Sequence, residues 1–595
     1  MEKILVSGSQ WAITETTKLS KLVVEPGAAI TAPEGKQLTL TVDGVHRDVA
    51  PGEYTGNIIL SVTKPVKAGC ENHGQIEWFE MNAAVSVHDG KYCAAESVSA
   101  AVMAGQAGDG ECCGIKLRSE GDNFGGIYVD GDGDYVIDDA DIAMNGHGAS
   151  DAIGYGASVA VRGSANVTIN RSKIHNVGSI RTALQVCGHG KVTVNDSEFT
   201  AADDDRPNYV KAMSKAPWML GIHGRVRTTN IQEYGEVTYN RCKVQAENWG
   251  AMSTDGTTHV RLSMYDSDVV VTGSGYGAYC IGDCHDYFNN CRITVPDYGV
   301  IQCGGGSDVT YTNGTVVEAG RNAVMMHGGG EPGLLTIDGK SQIHAKEAVV
   351  QLKGRGGRIL VDDASLTSDK NVLIEIIDND DPNGRGMHMG PETVMDVPPG
   401  GFEGGGVRDV VLEEHGEAPG GPGGPGGPEG PGGPGGPGGP GGPGGPGGAP
   451  GGAANRAALE EVFPVTATFK NGVYSGDILH CYSEKNEAVI TIENASLTGA
   501  ITTAVSSHPS GMPKCKEQYG LIGRVETFPC PKDTEFGLKV DLKEGASWTV
   551  TGASYLTELT IAPGAALLGT MTVDGAAAEI IPGTYTGKIV LKPAE

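Results

Sequence analysis

The chain is poor in aromatic rings, in basic charge and in long apolar runs, and each shortage excludes something. Only nine of its 595 residues are Phe, against 93 Gly and abundant Val, Ile and Thr. That balance suits many short strands with tight turns and argues against long helices. No run is long enough to span a bilayer. The start, Met1-Glu2-Lys3-Ile4-Leu5-Val6, lacks a basic region followed by an apolar run of roughly 7–15 residues, so no signal peptide is expected. Basic residues number 44 against 73 acidic, a net charge of −29, which repels nucleic acid and anionic membranes over most of the surface. The 13 Cys are odd in number, with Cys112 and Cys113 adjacent. They suggest thiols and not a disulfide framework, and with them a cytoplasmic location, or the cell surface or exterior if a leader has been removed.

Common ligand motifs are missing as well. Cys70, His73, His88, Cys93, Cys112 and Cys113 follow no finger or paired C-x-x-C spacing. Asp130 to Asp134 and Asp378 to Asp381 lack the twelve-residue calcium loop, and Asp-Gly turns explain them more simply. Lys353-Gly354-Arg355-Gly356-Gly357-Arg358 is basic and Gly-rich without the dinucleotide fingerprint, which makes it an anion-binding loop at most.

What is present is repetition. A phrase begins at Tyr276 and returns at Tyr298, Asn322, Glu347 and Asn371, at almost constant spacing. Between its copies lies a second phrase, as in Val309-Thr310-Tyr311-Thr312-Asn313 and Ile359-Leu360-Val361-Asp362-Asp363. Short β-branched runs at a fixed period, broken by Gly, Asn and Asp, describe solenoid coils in which each strand stacks on its copy. The expected fold is all-β, a single-stranded right-handed parallel β-helix.

A second repeat joins the ends of the chain. Trp11, Pro26-Gly27-Ala28, Val42-Asp43-Gly44 and Pro51-Gly52-Glu53-Tyr54 recur in order as Trp548, Pro563-Gly564-Ala565, Val573-Asp574-Gly575 and Pro582-Gly583-Thr584-Tyr585. These duplicated modules are expected to cap the open ends of the solenoid, or to pair with each other or across a homodimer. The resulting plan is a cap at 1–63, an irregular segment at 64–125, coils at 126–377, an insertion with Gly-Gly-Pro triplets at 378–474, returning coils at 475–536 and a second module at 537–595.

Strand alternation then sorts candidate residues into columns. Gln185, Ser253, Cys280, Gln302, Met326, Gln351 and Glu375 are expected in one outward column, and Arg162, Cys187, His223, Asp255 and Lys353 in the next, while Cys303 and His327 are expected to face inward. The catalytic candidates are His223 and Asp255 for proton transfer and Arg225 for developing negative charge. Trp218, Trp249, Ser253, Asp283, Gln302, Lys353 and Arg355 are candidates for substrate binding. Five coils separate His223 from Lys353, about 24 Å at roughly 4.8 Å per coil, so the chemical step is expected in the His223 to Cys280 half. Cys284 and His285, with nearby Met and His such as Met387-His388-Met389, form a rival soft-ligand set for copper or zinc.

The coils resemble the right-handed parallel β-helix of the pectate-lyase-like superfamily. The Trp-x-Ile/Val-Thr, Pro-Gly-Ala and Val-Asp-Gly modules resemble those of adhesin-like β-helix proteins of anaerobic bacteria. That resemblance implies an outer groove as the site and a polysaccharide lyase, hydrolase or epimerase as the activity, with no signature to transfer by residue. The expected function is acid-base chemistry on a carbohydrate or other ring-bearing polyhydroxylated substrate. The alternatives are a copper or zinc protein and an adhesin-like interaction protein without catalysis. A small-molecule or oligosaccharide partner is expected, not nucleic acid.

Overall fold

The protein, seen here as a computed structural model, is described over residues 1–72, 75–150, 153–204, 220–255, 259–328, 331–380, 463–483, 486–511, 516–532 and 537–594. Trp218, the Met387-His388-Met389 run and the Gly-Gly-Pro tract lie outside these residues. Among the described residues the chain forms a parallel β-helix. Each coil contributes three strands. The first two stacks merge into one wide sheet, and the third forms a separate 15-stranded sheet.

The turn between the first and second stacks explains much of the sequence signature. In coil after coil it passes through one residue in the left-handed region, including Asp139, Asp196, Asp266, Asn290, Asn313 and Asp363, with φ between 48° and 53°. Asn and Asp tolerate this conformation best because their short side chains bond locally. The residue before the turn is often Asn, and these stack: Asn195 donates to Asn170 at 2.9 Å and Asn240 to Asn195 at 3.0 Å. Where Arg holds the turn, a carboxylate one coil back receives it, as Asp196 receives Arg241 at 2.7 and 2.9 Å.

Two long excursions leave the register intact. Val192 pairs directly with Val237 although the chain between them is far longer than one coil needs, so the extra chain adds no coil. Asp362 pairs with Lys470 across the Gly-Gly-Pro insertion, and the same solenoid resumes.

The duplicated modules close the two ends in the same way. In each, a strand is capped by a long antiparallel partner, with Leu22 opposite Tyr54 and Leu559 opposite Tyr585. Tyr54 donates its hydroxyl to the Ala50 carbonyl and Tyr585 to the Ile581 carbonyl, at 2.8 and 2.9 Å. Gly56 and Gly587 have φ of 121° and 119°. The carboxylates of Asp43 and Asp574 occupy the space where a Cβ would sit, so Gly is required there. Trp548 is fully buried and donates to the Gly499 carbonyl at 3.0 Å. The first module docks through His46, which contacts Ser119 Oγ at 2.8 Å and stacks on Phe124.

Eleven described cysteines are accounted for: ten are free thiols, and Cys187 is disulfide-bonded. The expectation of thiols throughout is corrected at that position.

The outward columns differ from the sequence expectation in one instructive way. Ala278, Val300, Val324, Val350 and Ile374 stand in register. Val350, and not Val349, is the partner of Val324, so one coil is a residue longer than the phrase suggests. Cys280, Gln302 and Met326 consequently face inward with Leu352 and Ile376, because a one-residue slip moves a side chain to the opposite face. Cys303 and His327 move the other way, joining Asp255, Ile281 and Lys353 in an outward column. Lys353 is buried in that column, and Gln185 and Gln351 are buried in the outward column that runs through Ser253, Tyr279 and Met325, where solvent exposure was expected.

Candidate functional site

Among the described residues, three of the polar groups on the outer surface hold most of the sequence-predicted site residues, and they differ in how far their bonding is already satisfied. The C-terminal group is a tether. Lys353 Nζ lies 2.7 Å from Asp380, which also contacts His508 Nε2 at 2.9 Å and accepts from the Gly523 amide at 2.5 Å. Gln351 donates to Glu375 at 2.9 Å and to the Gly523 carbonyl at 2.7 Å. Arg321 donates to the carbonyls of Gly221 and Ile522. Burial favours neutral Asp380, yet the Lys353 charge and these hydrogen bonds hold its carboxyl below the usual range. Through Asp380, Lys353 thus helps to anchor His508 and Gly523, and Arg355 beside it is half-buried.

The middle group centres on Trp249, which is 5% exposed and packs with Tyr276, Tyr279 and Tyr298. Arg227 lies over its ring, 5.9 Å from the centroid, and is ion-paired with Asp255. Ser253 Oγ bonds the Tyr276 hydroxyl at 2.9 Å and is buried. Gln302 is spent inside the solenoid on the carbonyls of Ser307 and Leu334, both at 2.9 Å. Trp249 and Ser253 therefore form the floor beneath this region, and Asp255 meets solvent only beside its Arg partner.

The third group lies at the corner where the second stack gives way to the third. Strand Glu198–Ala202 ends in Asp203-Asp204, and strand Lys243–Ala246 one coil on ends in Glu247. The Ala201–Ala246 register places these ends side by side. The Asp203 amide donates to Glu247 at 3.0 Å, and the Arg225 amide to Asp203 Oδ2 at 3.2 Å. Arg225 Nε lies 3.9 Å from Asp203 Oδ1, and its guanidinium reaches the Asp204 carbonyl at 3.4 Å. His147, fully buried, brings Nε2 to 3.7 Å from Asp204. Burial raises Asp203 to about 6 against the opposing Arg225 charge, and its Oδ1 accepts no hydrogen bond among the described residues. His223 is exposed two residues before Arg225, its backbone fixed by Ser274 Oγ at 3.1 Å and by the Trp249 amide at 3.1 Å. His223 and Arg225 share this corner. Asp255 belongs to the neighbouring group, and His223 stands outside the column it was expected to occupy.

The sequence reading marks Asp203-Asp204 only as the start of a polar loop leaving the coils, without naming either as a site residue, and it missed Glu247 and His147. A usable signal existed for Glu247, since acidic residues follow the same strand in successive coils. His147 comes from a coil further upstream and carries no such mark.

Cys284 and His285 do not act together. Cys284 points into the solenoid core and donates to the Ile281 carbonyl at 2.7 Å. His285 is the next residue on a strand and faces outward, beside Asp283 at 3.2 Å and Asp308 at 3.3 Å.

No family model matches the chain, and no curated protein matches it. Among solved structures it is similar to the catalytic unit of a thermostable GH87 alpha-1,3-glucanase from Streptomyces thermodiastaticus strain HF3-3, at 13% identity and a TM-score of 0.16, over 56% of this chain and 72% of that one.

Proposed function

We propose that the protein is an enzyme performing acid-base chemistry on a neutral, carbohydrate-like substrate at the corner formed by Asp203, Asp204, Glu247, Arg225 and His223. The observation that carries this reading is the convergence of three carboxylates and an Arg with an exposed His, where one carboxyl is held near pH 6. A carboxyl raised to about 6 is half-protonated close to neutrality, which suits a general acid or base. Arg225, bound through both its amide and its side chain to the Asp203-Asp204 pair, can steady negative charge that develops on a leaving oxygen. His223, exposed two residues before Arg225, is the candidate to exchange the proton with water. Three carboxylates against one Arg disfavour an anionic substrate and favour the hydroxyls of a neutral polyol, which donate hydrogen bonds to carboxylates.

A panel of neutral oligosaccharides, assayed for new reducing ends and for unsaturated products, tests this. Asp203→Asn is expected to lower turnover by about 10²–10⁴-fold, the range for loss of a positioned acid or base. It should also abolish a rate inflection near pH 6. A panel with no turnover, or an Asp203→Asn variant retaining full rate and pH profile, would rule the reading out.

A further inference from the structure

On the outer side of the wide sheet, three residues from adjacent coils converge outside the Asp203 corner. His259 precedes strand Val260–Tyr265, Asp283 precedes strand Cys284–Asn289, and His285 lies within the latter. The strands pair with Arg261 opposite His285, so the residue before the upper strand overhangs the residue before the lower one. One carboxylate oxygen of Asp283 contacts His259 Nδ1, and the other lies 3.2 Å from His285 Nε2. One ligand atom from each residue falls within 4.8 Å of the other two. The two imidazole rings sit 6.1 Å apart at an interplanar angle of 67°, so they are not stacked and can direct nitrogen lone pairs to a common point.

We infer that His259, Asp283 and His285 bind a first-row divalent metal ion of the zinc, cobalt and nickel class. Two imidazoles, which are borderline donors, with one carboxylate suit these ions better than the hard Ca²⁺ or Mg²⁺, which take oxygen ligands throughout, or Cu(I), which favours sulfur. The environment supplies what such a site requires beyond its ligands. Asp308, one coil further on, places Oδ2 at 3.3 Å from His285 Nδ1. Accepting a proton there leaves the Nε2 lone pair facing Asp283 and makes the imidazole a better donor. His259 also lines a cavity of about 250 Å³ with His189, Lys191, Tyr234, Glu236 and Arg261. Three protein ligands leave a coordination position for water or a small anion, and Arg261 on the cavity wall suits the anion, while Lys191 is ion-paired with Glu236 at 3.2 Å. The triad is exposed, with side-chain accessibilities of 61%, 38% and 34%, so an ion can enter without a conformational change.

A second cluster has similar composition. His88, Cys93 and Glu96 also lie within 4.8 Å of one another, but His88 is the only imidazole, and Asp130 and Glu96 hold its two nitrogens, the latter at 2.6 Å. Burial lowers the proton affinity of His88, and those two carboxylates more than restore it. With one imidazole where the proposed site has two, this cluster is the poorer donor set for such an ion and serves as the internal control.

Calorimetric titration of chelator-treated, full-length protein with ZnCl₂ tests the inference. CoCl₂ absorption spectra report the ligand field independently of any activity. One equivalent of Zn²⁺ is expected to bind, with at least tenfold weaker binding in His259→Gln, Asp283→Asn and His285→Gln, about tenfold weaker binding in Asp308→Asn, and no change in His88→Gln. Because the triad is exposed, these variants are expected to keep the parent melting temperature. The inference is overturned if no saturable Zn²⁺ binding appears, if His259→Gln and His285→Gln titrate like the parent, or if His88→Gln alone removes the site. None of these outcomes bears on turnover at the Asp203 corner, which lies on a different part of the surface.

Discussion

Asp286 shows how costly a single carboxyl is inside a solenoid. It is 2% exposed and points into the core, where Thr254 Oγ1 lies 2.9 Å from its Oδ1. Thr254 has one proton and also lies 3.0 Å from the Tyr279 carbonyl. Burial pushes Asp286 up to about 8, partly opposed by the Thr254 hydrogen bond. The sign follows from a folded pKa above the unfolded one of about 3.9: the contribution to stability is full below pH ~4 and is lost as pH rises through about 8. Replacing Asp286 with Asn, which keeps the shape and removes the titration, is expected to stabilise the protein at pH 8–9 by a few kcal/mol and to flatten its stability from pH 5 to 9. Urea unfolding across that range measures both effects. An unchanged pH dependence would show that Asp286 does not carry the linkage.

At the scale of elements, His508 and the Ile522-Gly523 pair are held onto the outer face of the coils by polar bonds rooted in successive coils: Arg321 to Ile522, Gln351 to Gly523, and Asp380 to His508 and Gly523. Lys353 balances the Asp380 charge, and both are essentially buried. Replacing Lys353 with Met strands that charge, and removing one partner of a buried pair typically costs about 3–5 kcal/mol. The loss should exceed that of the double variant Lys353→Met/Asp380→Asn, which leaves no unpaired charge. Because the Asp380 pKa is depressed, the stability it supplies is present above pH ~4 and is lost in acid. The single variant should therefore unfold with a weaker acid dependence than the parent, as guanidinium titrations at pH 3 and 7 would show.

These elements also mark where the sequence was legible. Period and turn chemistry carried the architecture, since Asp and Asn at the left-handed turn and the four matched blocks of the end modules are local features. Column assignment depended on counting, and one coil with an added residue was enough to exchange Gln302 and Cys303 between the core and the surface. Burial of the outer face was invisible because it depends on distant segments folding back, as Ile522 does onto Arg321. The corner at Asp203 was half-legible: the polar run marks a place where chain leaves the solenoid, but its partners come from neighbouring coils and acquire meaning only once the register is known.

For the whole molecule, the end modules are the pieces most exposed to test. Strand Ser554–Ile561 pairs in parallel with Leu538–Leu542 on one side and antiparallel with Gly583–Lys592 on the other. A chain ending at residue 562 would leave the first of these as an open edge, and such edges recruit other strands. This truncation is expected to remain folded in its coils while self-associating, so light scattering after gel filtration should show oligomers where the full chain runs as a defined species. Truncation with unchanged mass would remove the capping role from the module.

The register has a consequence for biosynthesis. Each third-stack strand from Ala278 to Ile374 finds its partner a single coil upstream, so a coil can join the stack as soon as its own length of chain has left the ribosome. Growth in this manner always leaves the newest coil bare, and the antiparallel strand that covers the last one, Gly583–Lys592, follows every coil in the chain. The nascent chain therefore carries a growing end until that strand emerges, and only then does the template become a finished surface.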